Sequence, residues 1–160
     1  MRPILSRREV RADRWRYPGE AADTDEAGAG PRVWTLAELL ANPKPGNGDL
    51  GVRLGPADDP AQLEAHVDRL ALVVLQFEAS GDGRAYSQAQ LLRTRLGYTG
   101  ELRAAGAVKR DQLYLLARCG FDSFDLAPGE DAHAALAHLD RYSVAYQASS
   151  GTLVQPQLRE

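Results

Sequence analysis

From Leu50 onward the chain repeats one rhythm four times: a short apolar segment alternating with period two, a polar turn, then a helical segment. Gly51–Leu54, Leu72–Phe77, Glu101–Ala105 and Phe121–Leu126 read as strands, the second by its β-branched content. After the first strand, Asp59-Pro60-Ala61-Gln62 supplies a helix cap, a first-turn proline and a capping-box partner. Leu63, Val67 and Leu70 then fall on one face of that helix. Ser87 and Gln90 repeat the capping-box spacing before Leu92 and Leu96, and Gly97 ends the second helix. Asp111–Cys119 forms a third, stopped by Gly120, and a fourth lies near Glu130–Arg141. Four βα units in succession imply a parallel sheet with right-handed crossovers.

The strand faces narrow the architecture. Val52/Leu54, Val73/Leu75/Phe77, Leu102/Ala104 and Phe124/Leu126 form apolar sets at period two, while Arg53, Gln76/Glu78, Glu101/Arg103 and Ser123/Asp125 occupy the alternate positions. A doubly wound sheet with helices on both faces needs both sets apolar. Helices on one side and a polar concave face on the other predict a half-barrel-like (βα)4 unit, with a flavodoxin-like open sheet as the alternative. A complete barrel takes about 250 residues, and this chain has 160. The open side of a half-barrel must therefore meet the N-terminal arm, another copy or a different protein.

Three regions follow. Residues 1–48 are expected to form an appendage: an arm with Trp15 and Tyr17, an acidic mobile loop over Gly19–Pro31, and a short helix near Trp34–Leu40. Thr35 and Glu38 have capping-box spacing at the start of that helix, and a Pro/Gly/Asn-rich loop, Asn42–Asp49, follows it. Residues 49–148 hold the (βα)4 domain, and 149–160 form a tail.

A formal net charge of -3 argues against a general nucleic-acid binder, which normally carries a basic face. The one cysteine, Cys119, excludes an internal disulfide and a cluster held by four cysteines of this chain. Arg2, Arg7 and Arg8 are not followed by a long apolar core, so no signal peptide is expected. The longest apolar run, Leu70–Leu75, is far shorter than the roughly 20 residues a membrane span needs. A cytoplasmic protein without a membrane or nucleic-acid partner is expected.

Ligand groups in α/β proteins sit on the loops after the strands. Asp82-Gly83-Arg84 lies on such a loop, either as a tight turn or with Arg84 as a forked donor to an oxyanion, and Tyr86 and Ser87 follow. Glu101 and Arg103, two apart, point to one face; they read as a structural ion pair or, in Arg103, as an anion contact. Asp111 and Gln112 open a helix, where the dipole favours an acid. Cys119 reads as a small buried hydrophobe before a nucleophile. His133 and His138, five apart, do not share a helix face, so no metal is expected. GxGxxG, the Walker loop and GxSxG are all missing, so no cofactor is expected.

The strings LGVRL (Leu50–Leu54), LALVVLQF (Leu70–Phe77), DGRAYSQAQLL (Asp82–Leu92), GYTGELRAAG (Gly97–Gly106), DQL (Asp111–Leu113), CGFDSF (Cys119–Phe124) and YSVAYQ (Tyr142–Gln147) occur in order. Together they resemble the bacterial family called domain of unknown function 934, usually encoded beside assimilatory sulfite reductase genes. Two departures stand out: Ala107 replaces a usual aspartate, and Ala79-Ser80-Gly81 replaces an approach with proline and an aromatic. The resemblance implies a role in sulfite or sulfate reduction. Six-electron reduction needs a cofactor of the sirohaem and iron–sulfur kind, for which this chain has no cysteine set. An accessory protein that binds a small oxyanion or docks on sulfite reductase is therefore favoured, as a homodimer or in that complex. A small enzyme acting on a sulfur oxyanion or sulfated nucleotide, and a binding module unrelated to sulfur, are the alternatives.

Overall fold

Strand pairing ties the amino-terminal segment and the later βα units into one sheet. The computed structural model describes residues 2–6, 9–19, 30–42 and 49–140. Its strands are β1 (Pro3–Ser6), β2 (Val10–Ala12), β3 (Arg32–Thr35), β4 (Leu50–Leu54), β5 (Leu70–Phe77), β6 (Glu101–Gly106) and β7 (Ser123–Phe124), and its helices α1 (Leu36–Ala41), α2 (Arg84–Gln90), α3 (Leu113–Arg118) and α4 (Ala132–Asp140). The seven strands lie in the order β2-β1-β7-β6-β5-β4-β3. Strands β3 to β7 are parallel, and β1 joins β7 antiparallel as it does β2. The fold is mixed α/β, an open and mostly parallel sheet. Its parallel strands stand in sequence order, without the reversal found in a flavodoxin-like sheet.

The period-two sets separate into two layers. Val52, Leu54, Val73, Leu75, Phe77, Leu102, Ala104 and Phe124 pack with Ala85, Ala89, Leu92, Leu113, Leu116 and Ala135 of the connecting segments. The opposite face carries a smaller cluster, in which Trp15 and Tyr17 of the arm cover Val33, Leu72, Val74 and Ala105. Gly51 seats the indole: a Cβ there would stand 2.9 Å from the Trp15 ring. The front section thus contributes three strands and the cover of one face.

Several expected elements differ in kind. Trp34 belongs to β3, paired with Val52, and α1 begins behind Thr35, whose hydroxyl and Glu38 complete the predicted capping box. The helix expected from Asp59 is two short 3-10 turns, Pro60–Leu63 and Val67–Arg69. Asp59 caps the first by accepting from Ala61 N, but Gln62 adds no reciprocal bond. Ser87 and Gln90 are no capping box, because α2 starts earlier. The Asp82 carboxylate accepts from Arg84 N at 3.0 Å, leaving Ser87 inside the helix with its hydroxyl on the Gly83 carbonyl. Helix α2 continues as a π-helical segment, Leu91–Arg95, before Gly97 (φ +66°). Arg110–Gln112 forms a 3-10 turn ahead of α3. The bodies of the Gly19–Pro31 and Asn42–Asp49 loops, the string Tyr142–Gln147 and the tail lie outside the described residues.

Candidate functional site

The polar alternate residues of β6 and those at β7 meet the arm in a closed network. Arg103 is 1% exposed. Its Nε donates to Ser123 Oγ at 3.1 Å, Nη1 to Asp13 Oδ1 at 2.9 Å and to the Tyr17 hydroxyl at 2.7 Å, and Nη2 to Glu101 Oε1 at 2.8 Å. Ser123 Oγ donates to the same Glu101 oxygen at 2.6 Å, while Arg11 holds Oε2 at 2.8 Å. Arg2 reaches Asp13 and Asp125 and lies over the Tyr17 ring. All three guanidinium nitrogens of Arg103 therefore have an acceptor from the chain itself.

The electrostatics follow from that enclosure. Burial works against the Arg103 charge, but Tyr17, Glu101 and Asp13 together hold its pKa above the ordinary guanidinium value. Burial likewise opposes the Glu101 carboxylate, yet the Ser123 hydrogen bond and the charges of Arg103 and Arg11 pull its pKa below 4.5. Burial pushes the Tyr17 phenol up to about 12, with Arg103 opposing. Tyr17 is thus a neutral acceptor at physiological pH.

A second set of polar groups lies on the loops at the carboxyl ends of β5 and β6. Asp82 and Arg84 form a forked pair, Arg84 Nε at 2.9 Å from Oδ1 and Nη2 at 2.8 Å from Oδ2, with Glu78 3.6 Å from Nη2. Hydrogen bonding from Arg84 holds the Asp82 carboxyl below its usual range. The Arg84 side chain is 56% exposed. Gln112 Nε2 donates to the Ser80 carbonyl, joining the two loops, and Gln112 Oε1 accepts from Lys109 N at 3.0 Å. Asp111 is exposed, and Ala107, on the loop after β6, donates its N–H to the Phe77 carbonyl.

Behind this rim runs a shallow groove of about 440 Å³, lined by Tyr86, Ser87, Gln90 and the π-helical Leu91, Thr94 and Arg95, with Cys119 opposite. Tyr86 stands edge-on to Phe77, 5.4 Å between centroids. Burial raises the pKa of both Tyr86 and Cys119, so each stays protonated at neutral pH. Among the described residues no three His, Cys, Asp or Glu side chains come together as a metal site, and no helix is long and apolar enough to cross a membrane.

The structure thus divides the predicted residues. Glu101 and Arg103 lie in the first half of β6 beneath the arm, while Asp82, Arg84, Tyr86, Ser87, Asp111 and Gln112 lie on its far side, at the strand ends and in α2. Asp13, Tyr17 and Ser123 complete the inner network; the sequence places Ser123 on the polar strand face and Tyr17 in the arm but marks neither as a site residue, and gives no signal for Asp13. A further hub also escaped notice: Arg93 donates to the carbonyls of Tyr98, Gly100 and Gly120 and to Asp122 Oδ2 at 2.5 Å, and that oxygen also accepts from Leu102 N. No sequence signal marks it, since its partners come from two turns, the one before β6 and the one before β7.

Fold and site define an α/β protein whose polar sheet face is sealed by its own N-terminal segment. The chain belongs to the family described as bacterial protein of unknown function (DUF934), whose model matches residues 51–156. Comparisons with curated proteins and with solved structures return no match.

Proposed function

We propose that this is an accessory protein of assimilatory sulfite and sulfate reduction that works by docking on sulfite reductase. The sulfur context rests on the family resemblance; the docking mode rests on the site. One observation carries it: Arg103, the one fully buried cation among the described residues, has every guanidinium nitrogen engaged by the chain's own oxygens. The polar groups turned outward are instead those of the strand-end rim, Arg84 foremost, beside the groove at Tyr86 and Ser87. An exposed arginine held in a fixed fork by Asp82 is suited to a carboxylate on a partner surface. For the architecture we propose a half-barrel-like (βα)4 unit whose open side is filled by residues 13–17. Sequential strand order and the polar inner set favour it.

The test joins growth and binding. A strain lacking the gene is expected to grow poorly on sulfate as sole sulfur source, with wild-type protein restoring growth and Arg84→Ala restoring it only in part. Purified protein should co-sediment with sulfite reductase at low salt, and Arg84→Ala should weaken that complex while melting normally. Normal growth of the deletion strain, together with independent sedimentation of the two proteins, would overturn the proposal.

A further inference from the structure

The edge of the sheet beyond β3 carries two arginines side by side. Arg16 N donates to the Pro31 carbonyl at 3.0 Å and Val33 N to the Arg16 carbonyl at 2.8 Å, so Arg16 pairs with Arg32 as in a parallel ladder. Residues paired in this way project to the same face, with backbones roughly 5 Å apart. Trp15, Tyr17 and Val33 take the opposite face, so both guanidinium groups lie on the side of α1. There Arg32 stacks on Trp34, 4.6 Å from the ring centroid.

Among the described residues their acceptors are few. Glu38 Oε1 lies 3.4 Å from Arg32 Nη2, a long contact, while Oε2 is committed to Thr35 N and Oγ1 at 2.8 and 3.0 Å. Arg16 has the Gly30 carbonyl, 3.3 Å from Nη2. The Nε atoms of both are buried without an acceptor. A guanidinium donor shielded from water and left without an acceptor is unfavourable, and the ion pair of Arg32 with Glu38, at 3.4 Å through Nη2, leaves its Nε unserved. The Arg32 side chain is still 34% exposed, so a ligand can approach from solvent. Turning either fork to meet that ligand would also bring Nε to an acceptor.

We infer that Arg16 and Arg32 form a binding site for an oxyanion, a group with at least two acceptor oxygens of the sulfate, phosphate or carboxylate kind. One anion between the forks supplies both with the acceptor oxygens their Nε atoms lack, in the planar geometry that guanidinium prefers. The site lies outside residues 51–156, the span that the family model matches, and does not depend on the docking proposal.

Isothermal titration of the full-length protein tests it, with sodium sulfate, sodium phosphate and sodium acetate as separate titrants and ionic strength fixed by sodium chloride. Saturable binding is expected, and the titrant that binds most tightly distinguishes a tetrahedral anion from a carboxylate. Arg16→Gln should weaken that binding about tenfold or more, the effect of losing one charge-assisted contact, and Arg16→Lys should weaken it less. Arg16 makes its bridge through the backbone, so this variant keeps the fold even if Arg32→Gln disturbs the Trp34 stack. Absence of saturable binding with all three anions, or equal affinity in Arg16→Gln, would overturn the inference.

Discussion

Arg103 shows how one residue can carry opposite meanings in sequence and in space. Its spacing from Glu101 puts both on one strand face, and the 2.8 Å contact between them is the local half of the network. The other half comes from Asp13 and Tyr17, 90 and 86 residues earlier in the chain, and no local pattern announces a pairing across such a separation. Glu101 offers a test with a definite sign. Its folded pKa is depressed below 4.5, so the stability it contributes is present above that value and is lost as pH falls through the folded pKa. Glu101→Gln keeps the size and one acceptor but removes the charge facing Arg103 and Arg11. Wild type should exceed this variant by about 1–3 kcal/mol between pH 6 and 8, and the gap should narrow below pH 4.5 in denaturant titrations. A gap that stays constant down to the acid transition would mean that the Glu101 charge does not stabilise the fold.

Among the elements, strands β4, β5 and β6 were legible because period-two alternation and flanking turns agree with one another, with β-branched residues adding to the signal in β5. Helix starts were less so. A Ser-x-x-Gln spacing matches a capping box wherever it occurs, and at Ser87 it was outcompeted by the tighter turn that Asp82 builds five residues earlier. The front strands were hidden for a different reason: β1, β2 and β3 are three or four residues long, too short for a period to register. Their importance shows at Gly51, where the strand gives up a side chain so that Trp15 can lie against it. Gly51→Ala should cost about 1–3 kcal/mol, because the new methyl group must displace the indole. Trp15→Leu should lose a comparable amount on its own, through lost burial. If the two changes act at one contact, the double variant will be more stable than the sum of the single losses predicts, which thermal melting of all four proteins measures. Strict additivity would mean that the ring does not rest on Gly51.

At the scale of the whole molecule, the family match and the folding unit do not coincide. The match begins at residue 51, yet β3 pairs with β4 on one side and β1 with β7 on the other, so the front section flanks the matched strands at both edges. It also supplies Trp15 and Tyr17 to the second core layer and Asp13 to Arg103. A fragment of residues 49–160 would expose Leu72, Val74 and Ala105 on one face, leave β4 and β7 as bare edges, and deprive the buried Arg103 of two of its four partners. Unpaired edges and uncovered apolar residues favour association, and a charge stripped of buried partners destabilises what remains. The fragment is therefore expected to aggregate or to keep far-ultraviolet dichroism while losing near-ultraviolet signal and its cooperative melt. Adding residues 1–48 as a separate peptide should restore part of that cooperativity, since the missing contacts are non-covalent. A fragment that stays monomeric and melts as sharply as the full chain would make the front section a detachable appendage, and Arg103 would then be open to solvent and to ligands.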